Sequence, residues 1–148
     1  FNRRIAFRDD QETWNEGDHW ASPLELLDKG QGDCEDYAIS KYFSLLALGM
    51  PASRLRLVYV RLQAGALGEG QAHMVLAYYP QPGAEPLILD NLVTSVRPAS
   101  RRPDLTPVFS FNSEGLWQGV GTQSAGDPQA RLSRWREVLA KARAEGFL

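Results

Sequence analysis

The chain carries one cysteine, Cys34, and a thiol becomes a nucleophile when its surroundings favour the thiolate. The sequence Gly30-Gln31-Gly32-Asp33 precedes it, and apolar residues then recur at helical spacing until Gly49. We therefore expect Cys34 at a helix N-terminus, where unpaired backbone N–H groups and the helix dipole stabilise negative charge. A buried, unreactive cysteine is the alternative, but it would not require these glycines or the carboxylates that follow.

A thiol nucleophile needs a base within hydrogen-bond reach and a third group that orients the base. Of the two histidines, His73 opens a predicted strand, whereas His19 lies in a segment without clear periodicity. The next predicted strand offers Asp90 as the orienting carboxylate. A structural histidine and a turn-forming Asp-Asn pair are the ordinary alternatives, but the three residues together predict a catalytic site of Cys34, His73 and Asp90.

Strand pairing decides whether His73 and Asp90 can meet. In an antiparallel pair, the two side chains share a face only if the numbers of paired residues sum to an odd value. Pairing of Tyr79 with Ala84 satisfies this condition and places His73 directly across from Asp90. The sequence therefore predicts that register.

Three carboxylates surround the thiol in sequence: Asp33, Glu35 and Asp36. Nearby negative charge raises the pKa of a thiol and opposes the helix dipole. A bound cation would remove this conflict, and oxygen ligands without a second cysteine or histidine nearby favour calcium (Ca2+) over zinc. The carboxylates could equally serve only to complement the helix N-terminus, so the residues leave both interpretations open.

The elements around this stretch predict a single α+β domain spanning residues 1–148. A short helix is expected over residues 22–30, with Ser22 as its N-cap, Pro23 at its first position and Glu25 completing a capping box. We expect three of its leucines to face the core: Leu24, Leu26 and Leu27. Strands are expected over residues 55–62, 73–79 and 87–92, the last two forming a hairpin.

The C-terminal half is expected to contain a surface loop over residues 95–105 and an edge strand or packed loop over residues 107–117. A terminal helix is predicted to begin at Asp127-Pro128. Its apolar stripe is expected to dock onto the body of the domain rather than onto a partner. The stripe consists of Leu132, Trp135, Val138, Leu139 and Ala142.

Composition excludes some classes of partner. The net charge of −2 argues against nucleic-acid and membrane-surface binding, which both favour a basic face. No apolar run reaches the roughly 18 residues that span a bilayer. The chain begins at Phe1 without a charged and apolar leader, so we expect a form from which a signal peptide has been removed.

Several motifs resemble the bacterial transglutaminase-like cysteine proteinases, specifically those of the LapG type. They lie at residues 32–38 (GDCEDYA), 73–76 (HMVL) and 89–92 (LDNL), and the resemblance extends over roughly residues 14–117. Ordinary transglutaminases carry a tryptophan soon after the histidine and Asp-x-Thr at the aspartate. Here Met74 and Asp90-Asn91-Leu92 stand instead, so crosslinking is not predicted.

This resemblance implies a papain/transglutaminase-like core, in which the nucleophile at a helix N-terminus packs on an antiparallel sheet that carries the histidine and the aspartate. It implies that Cys34 is the nucleophile, His73 the general base and acid, and Asp90 the orienting residue. The calcium site would be formed by Asp33, Glu35 and Asp36.

The same resemblance implies a periplasmic, calcium-dependent endopeptidase that cuts a large LapA-like surface adhesin near its N-terminus and so disperses biofilm. Its inhibitor would be the periplasmic domain of a LapD-like cyclic-di-GMP receptor. For the oxyanion, the Cys34 backbone N–H is a natural first donor, and the second would come from the Trp20 or Gln31 region. Two other functions remain open: acyl transfer to an amine, and a catalytically idle module that binds calcium and a partner.

Overall fold

The architecture was determined from a computed structural model, which describes residues 2, 6–7, 20–63, 70–81, 83–91, 93, 95–119, 124–126 and 132–147. Three α-helices are described: α1 (Pro23–Lys29), α2 (Cys34–Ala47) and α3 (Ser133–Ala144). The strands are β1 (Ala6–Phe7), β2 (Gln31–Gly32), β3 (Leu55–Gln63), β4 (Gly70–Tyr78), β5 (Leu87–Leu89), β6 (Arg97–Pro98), β7 (Leu105–Phe111), β8 (Leu116–Gln118) and β9 (Ser124–Gly126). The predicted mixture of helices and antiparallel strands is confirmed.

Seven of the strands form one sheet in the order β6-β5-β4-β3-β7-β8-β9, and every neighbouring pair is antiparallel. The prediction of an edge strand within residues 107–117 is therefore wrong, because β7 lies inside the sheet between β3 and β8. Its inner position follows from Phe111, which is fully buried and contacts the ring of Trp135 edge-on.

The two faces of this sheet are covered differently. Alternate side chains of β3 and β4, such as Leu57 and Leu76, join α2 and α3 in the main apolar core. The intervening side chains, such as Val58 and Val75, form a second cluster against Ala99 and Leu105 of the segment that follows β5. That segment was predicted to be a surface loop. Most of its residues are exposed, but it also contains the short strand β6 and packs Ala99, Arg102 and Leu105 against the sheet.

Helix α1 begins and ends as predicted. Ser22 and Glu25 form the capping box, and Gly30 adopts a left-handed conformation (φ 72°) that ends the helix. Of its three leucines only Leu26 is buried, whereas Leu24 and Leu27 are about half exposed, at 49% and 48%. The prediction that all three face the core is wrong, because so short a helix rests on its neighbours through a single row of side chains.

Helix α3 docks onto the main core, as its apolar stripe predicted. Trp135, Val138 and Ala142 are fully buried. An ion pair between Lys141 Nζ and Glu25 (2.7 Å) ties α3 to α1. The predicted start at Asp127-Pro128 lies outside the described residues, and the described helix begins after Leu132. Within the described part of the chain, no helix combines the length and apolar character needed to cross a bilayer.

Candidate active site

The N-terminus of α2 places Cys34 at the first helical position, as predicted. Asp33 is the N-cap, and its side chain accepts a hydrogen bond from the backbone N–H of Asp36. The Asp36 carboxylate is fully buried, and it accepts backbone N–H groups from Ala21 (2.9 Å) and Asp33 (3.1 Å). Asp36 therefore anchors both the start of α2 and the chain that leads into α1.

Gly32 is required by close packing rather than by its backbone conformation. A Cβ atom at this position would lie 2.5 Å from Cδ1 of Leu26 and 2.9 Å from Oδ2 of Asp36. Both neighbours are fully buried, so neither has room to withdraw. The glycine lets the chain pass beneath α1 and deliver Cys34 to the helix start.

The Cys34 thiol lies in surroundings that favour its protonated form. Burial raises its pKa most strongly, and the negative charges of Glu35 and Asp33 raise it further. A hydrogen bond from the backbone N–H of Met74 acts in the opposite direction and lowers the pKa. The thiol also donates a hydrogen bond to Oε2 of Glu35 (3.4 Å). The predicted conflict between the acidic residues and the nucleophile is therefore present.

His73 and Asp90 are in direct contact and both are buried. Nε2 of His73 lies 2.7 Å from Oδ1 of Asp90, with side-chain exposures of 5% and 0%. Because this bond uses Nε2, Nδ1 is the ring nitrogen left to exchange a proton with a nucleophile. The predicted contact between His73 and Asp90 is therefore present.

The predicted register is right in parity and wrong by two residues. Leu76 pairs with Leu89 and Tyr78 with Leu87, so Asp90 continues the ladder opposite Val75 rather than His73. The β4–β5 ladder ends at the Tyr78–Leu87 pair, and the Tyr79 N–H continues the β3–β4 ladder by bonding to Arg54, so Tyr79 does not pair with Ala84 as predicted. The odd sum is preserved, and His73 and Asp90 still share a face.

Cys34 lies against strand β4 at Met74, the residue that follows His73 in that strand. Met74, whose N–H bonds to Cys34, packs on the face covered by α2, and the next residue back is His73. Strand β5 ends at Leu89, opposite Leu76, so residue 74 lies beyond the described β4–β5 ladder. Cys34 therefore contacts the residue next to His73, and His73 in turn contacts Asp90.

Two side chains at this site were not assigned roles from the sequence. Arg102 is buried and donates from a terminal guanidinium nitrogen to Oδ2 of Asp90 (2.9 Å). Tyr59 donates to Oε1 of Glu35 (3.3 Å), at a point where the pairing of β3 with β7 shifts in register. Arg102 was missed because its segment is rich in arginine and proline, which is typical of a solvated loop.

A third charged side chain faces Asp90 from α2. Burial lowers the pKa of Lys41 to about 8, and the charge of Asp90 partly opposes this effect. Arg102 also donates hydrogen bonds to Asp104, and these hold the pKa of the Asp104 carboxyl below its usual range. Asp90 therefore lies among three basic side chains, those of Arg102, His73 and Lys41.

The predicted calcium ligands differ in how they are engaged. Asp33 and Glu35 are partly exposed and flank the thiol, and their oxygen atoms are the donors that Ca2+ prefers. Asp36 is occupied by backbone N–H groups through both oxygens. Across the described ranges, no three Asp, Glu, His or Cys side chains converge in an arrangement that would hold an ion. All three carboxylates accept hydrogen bonds in the fold, but Asp33 and Glu35 are partly exposed and fit a calcium ion in chemistry, whereas Asp36 is fully buried.

The oxyanion donors predicted from sequence are only partly accounted for. At the first helical position, the N–H of Cys34 has no acceptor within its own helix. The Trp20 side chain is buried against Phe111, and among the described residues its Nε1 has no hydrogen-bond partner. Gln31 lies half-buried in β2. The second donor therefore stays a prediction.

Comparison with known proteins identifies the family and the fold. A family model described as bacterial transglutaminase-like cysteine proteinase matches residues 1–122. The chain therefore belongs to the bacterial transglutaminase-like cysteine proteinases, and its fold is the transglutaminase-like protease fold.

Solved structures of Legionella pneumophila LapG are similar to this chain. One is 44% identical with a TM-score of 0.78, and covers 96% of this chain and 72% of that chain. An EGTA-treated form gives 44% identity and a TM-score of 0.81, over 96% and 74% of the two chains. A calcium-bound form is 44% identical with a TM-score of 0.79, and the match covers 95% of this chain and 74% of that chain. Among curated proteins, none matches the chain significantly.

Proposed function

We propose that this protein is a calcium-dependent cysteine endopeptidase that uses Cys34, His73 and Asp90. The observation that carries the proposal is the buried His73–Asp90 hydrogen bond of 2.7 Å, beside a strand edge whose Met74 N–H bonds to the thiol of Cys34. These two contacts support a nucleophile, a base and an orienting group that act together.

The proposed reaction is acyl transfer through a thioester. Nδ1 of His73 accepts the thiol proton as Cys34 Sγ attacks the carbonyl carbon of the scissile peptide, and the Cys34 N–H faces the developing oxyanion. The C–N bond breaks as His73 returns the proton to the leaving amine. His73 then takes a proton from water, whose oxygen attacks the thioester, and Cys34 is released as a thiol. Throughout, Asp90 holds the imidazole and stabilises its cationic form.

Calcium would be held by Asp33 and Glu35. When bound, it would offset the two negative charges that raise the pKa of the thiol. The comparison structures of Legionella pneumophila LapG include a calcium-bound and an EGTA-treated form, which supports a calcium dependence here. The shift caused by burial would remain, so we expect the cation to act together with His73.

The proposed substrate is the N-terminal region of a large LapA-like surface adhesin, cut at an alanine-containing site of small residues in the periplasm, with biofilm dispersal as the result. The proposed inhibitor is the periplasmic domain of a LapD-like cyclic-di-GMP receptor. Membership of the proteinase family and the 44% identity to Legionella pneumophila LapG support these assignments.

The mechanism is tested by the rate of Cys34 alkylation by iodoacetamide as a function of pH, with calcium and with EGTA. Because the chain has a single cysteine, the signal has one source. With calcium we expect a midpoint well below the free-thiol value of roughly 8.5. With EGTA the midpoint should rise. E35Q should reduce the difference between the two conditions, and D28N, at an exposed acid of α1, should leave it unchanged.

If the pH profile of the alkylation rate is the same with calcium and with EGTA, or is that of an ordinary thiol, this mechanism is contradicted. Cleavage itself is checked by mass spectrometry of a recombinant N-terminal adhesin fragment incubated with the wild type and with C34A. Incorporation of an added primary amine at the new C-terminus would indicate acyl transfer instead. Binding of the fragment without any cleavage by the wild type would favour a binding module.

A further inference from the structure

The two oxygens of the Asp90 carboxylate are divided between two partners. Oδ1 lies 2.7 Å from Nε2 of His73, and Oδ2 accepts a hydrogen bond of 2.9 Å from Arg102. The side chains of Arg102 and Asp90 are 3% and 0% exposed, so water does not compete for either oxygen. Rotation of the carboxylate about its Cβ–Cγ bond would break both contacts, and the guanidinium therefore fixes which oxygen faces the histidine.

Arg102 is itself held in place from the other side. Its Nε donates to Oδ1 of Asp104 (3.1 Å), and the same terminal nitrogen that reaches Asp90 lies 3.0 Å from Oδ2 of Asp104. This two-nitrogen contact with one carboxylate fixes the plane of the guanidinium. The second partner, Asp104, is 34% exposed, so the chain of contacts runs from the surface inward to His73.

The surroundings of Arg102 are apolar. It lines a cavity of about 120 Å³ together with the second core cluster, including Val60, Val75 and Ile88. Removing Arg102 would take away the donor that holds Oδ2 of Asp90, and the carboxylate would no longer be fixed in its orientation. A reoriented carboxylate would weaken the support that Asp90 gives to a cationic His73.

We propose that Arg102 is a positioning residue, which holds Asp90 in the orientation that His73 requires and has no contact with the substrate. This proposal rests on the proposed function for its catalytic consequence. The alternative is that Arg102 only secures the segment after β5 to the sheet. The two differ in whether the effect of Arg102 passes through Asp90.

A double-mutant cycle with D90N separates these roles, with kcat and KM measured on the recombinant adhesin fragment in calcium. In the wild-type background, R102M should lower kcat by about 100-fold with little change in KM, because a displaced orienting group impairs the chemical step. In the D90N background, the same change should cause little further loss. An equal loss in both backgrounds would overturn the proposal.

Three variants serve as controls. R101M removes the neighbouring arginine, which is exposed, and should leave kcat unchanged. D104N weakens the outer contact and should cause a smaller loss than R102M. If R102M does not fold, R102K takes its place in the cycle, because lysine keeps the charge but lacks the two-nitrogen fork.

A second measurement does not depend on proteolysis. The proton on Nε2 of His73, observed by NMR and assigned against H19Q, should be shifted downfield and protected from exchange in the wild type and R101M. It should lose both properties in R102M. An unchanged resonance in folded R102M would overturn the positioning role. If the wild type cleaves no substrate, the proposed function fails, and this resonance still decides the role of Arg102.

Discussion

At the scale of the residue, ionisation of Cys34 makes the free energy of unfolding depend on pH. Because burial and the neighbouring carboxylates raise its pKa in the folded protein, the folded state keeps the thiol proton at a pH where the unfolded chain loses it. Without calcium, the free energy of unfolding should therefore fall as the pH rises above roughly 8.5, by up to about 1.4 kcal/mol per pH unit for this group.

Urea denaturation of the wild type and C34S in EGTA, at a series of pH values, checks this prediction. The hydroxyl of C34S does not ionise in this range, so the curves of the two proteins should diverge above roughly pH 8.5. Added calcium should reduce the divergence. Parallel curves would show that the folded protein does not hold the thiol proton more tightly than the unfolded chain.

At the scale of the element, the start of α2 depends on Asp36 for its structure. D36A would leave two backbone N–H groups, of Ala21 and Asp33, without their acceptor in a buried place. We expect a loss of about 2 kcal/mol or more in the free energy of unfolding, with or without calcium. E35Q, at the preceding position, should change the free energy of unfolding without calcium only a little, because the Glu35 side chain is partly exposed.

Thermal and urea unfolding in EGTA and in calcium measure both variants. A loss for D36A that occurred only in calcium would indicate that Asp36 acts as a metal ligand and that its capping role is minor. A loss for D36A no larger than that for E35Q without calcium would show that the backbone hydrogen bonds of Asp36 add nothing specific to the stability of the helix start.

The features of the helices and strands that were predicted from the sequence are those that short-range patterns determine. The capping box at Ser22 and the helix start at Cys34 follow from residue types at fixed spacing. The parity of the β4–β5 pairing follows from two-residue periodicity. The exact register was missed because the predicted and observed registers place the same side chains on each face, so periodicity does not separate them. Arg102 was missed because only the folded sheet shows that Asp90 lies beside it.

At the scale of the whole molecule, α3 closes the core that supports the site. The ring of Trp135 is fully buried, contacts Tyr42 and Phe43 of α2, and donates through Nε1 to the backbone of Asn112. W135A should therefore lower the free energy of unfolding by about 3–5 kcal/mol. Alkylation of Cys34 in the fraction that remains folded should be unchanged, because Trp135 has no described contact with the site.

Differential scanning calorimetry and the iodoacetamide assay at low temperature test these two parts separately. A140S, at an exposed position of the same helix, is the matched control. A W135A protein of normal stability would mean that α3 docks only weakly. A folded W135A protein with altered alkylation would mean that α3 influences the helix that carries Cys34.

The alternation of His73 and Met74 across strand β4 has a consequence for refolding studies. A slip of β4 by one residue would turn His73 toward α2 and away from Asp90, while leaving the amount of sheet and helix almost unchanged. Circular dichroism would not distinguish such molecules from native ones. Turnover per molecule after dilution from denaturant would, so the ratio of regained activity to regained ellipticity reports the fraction of chains with correctly paired strands.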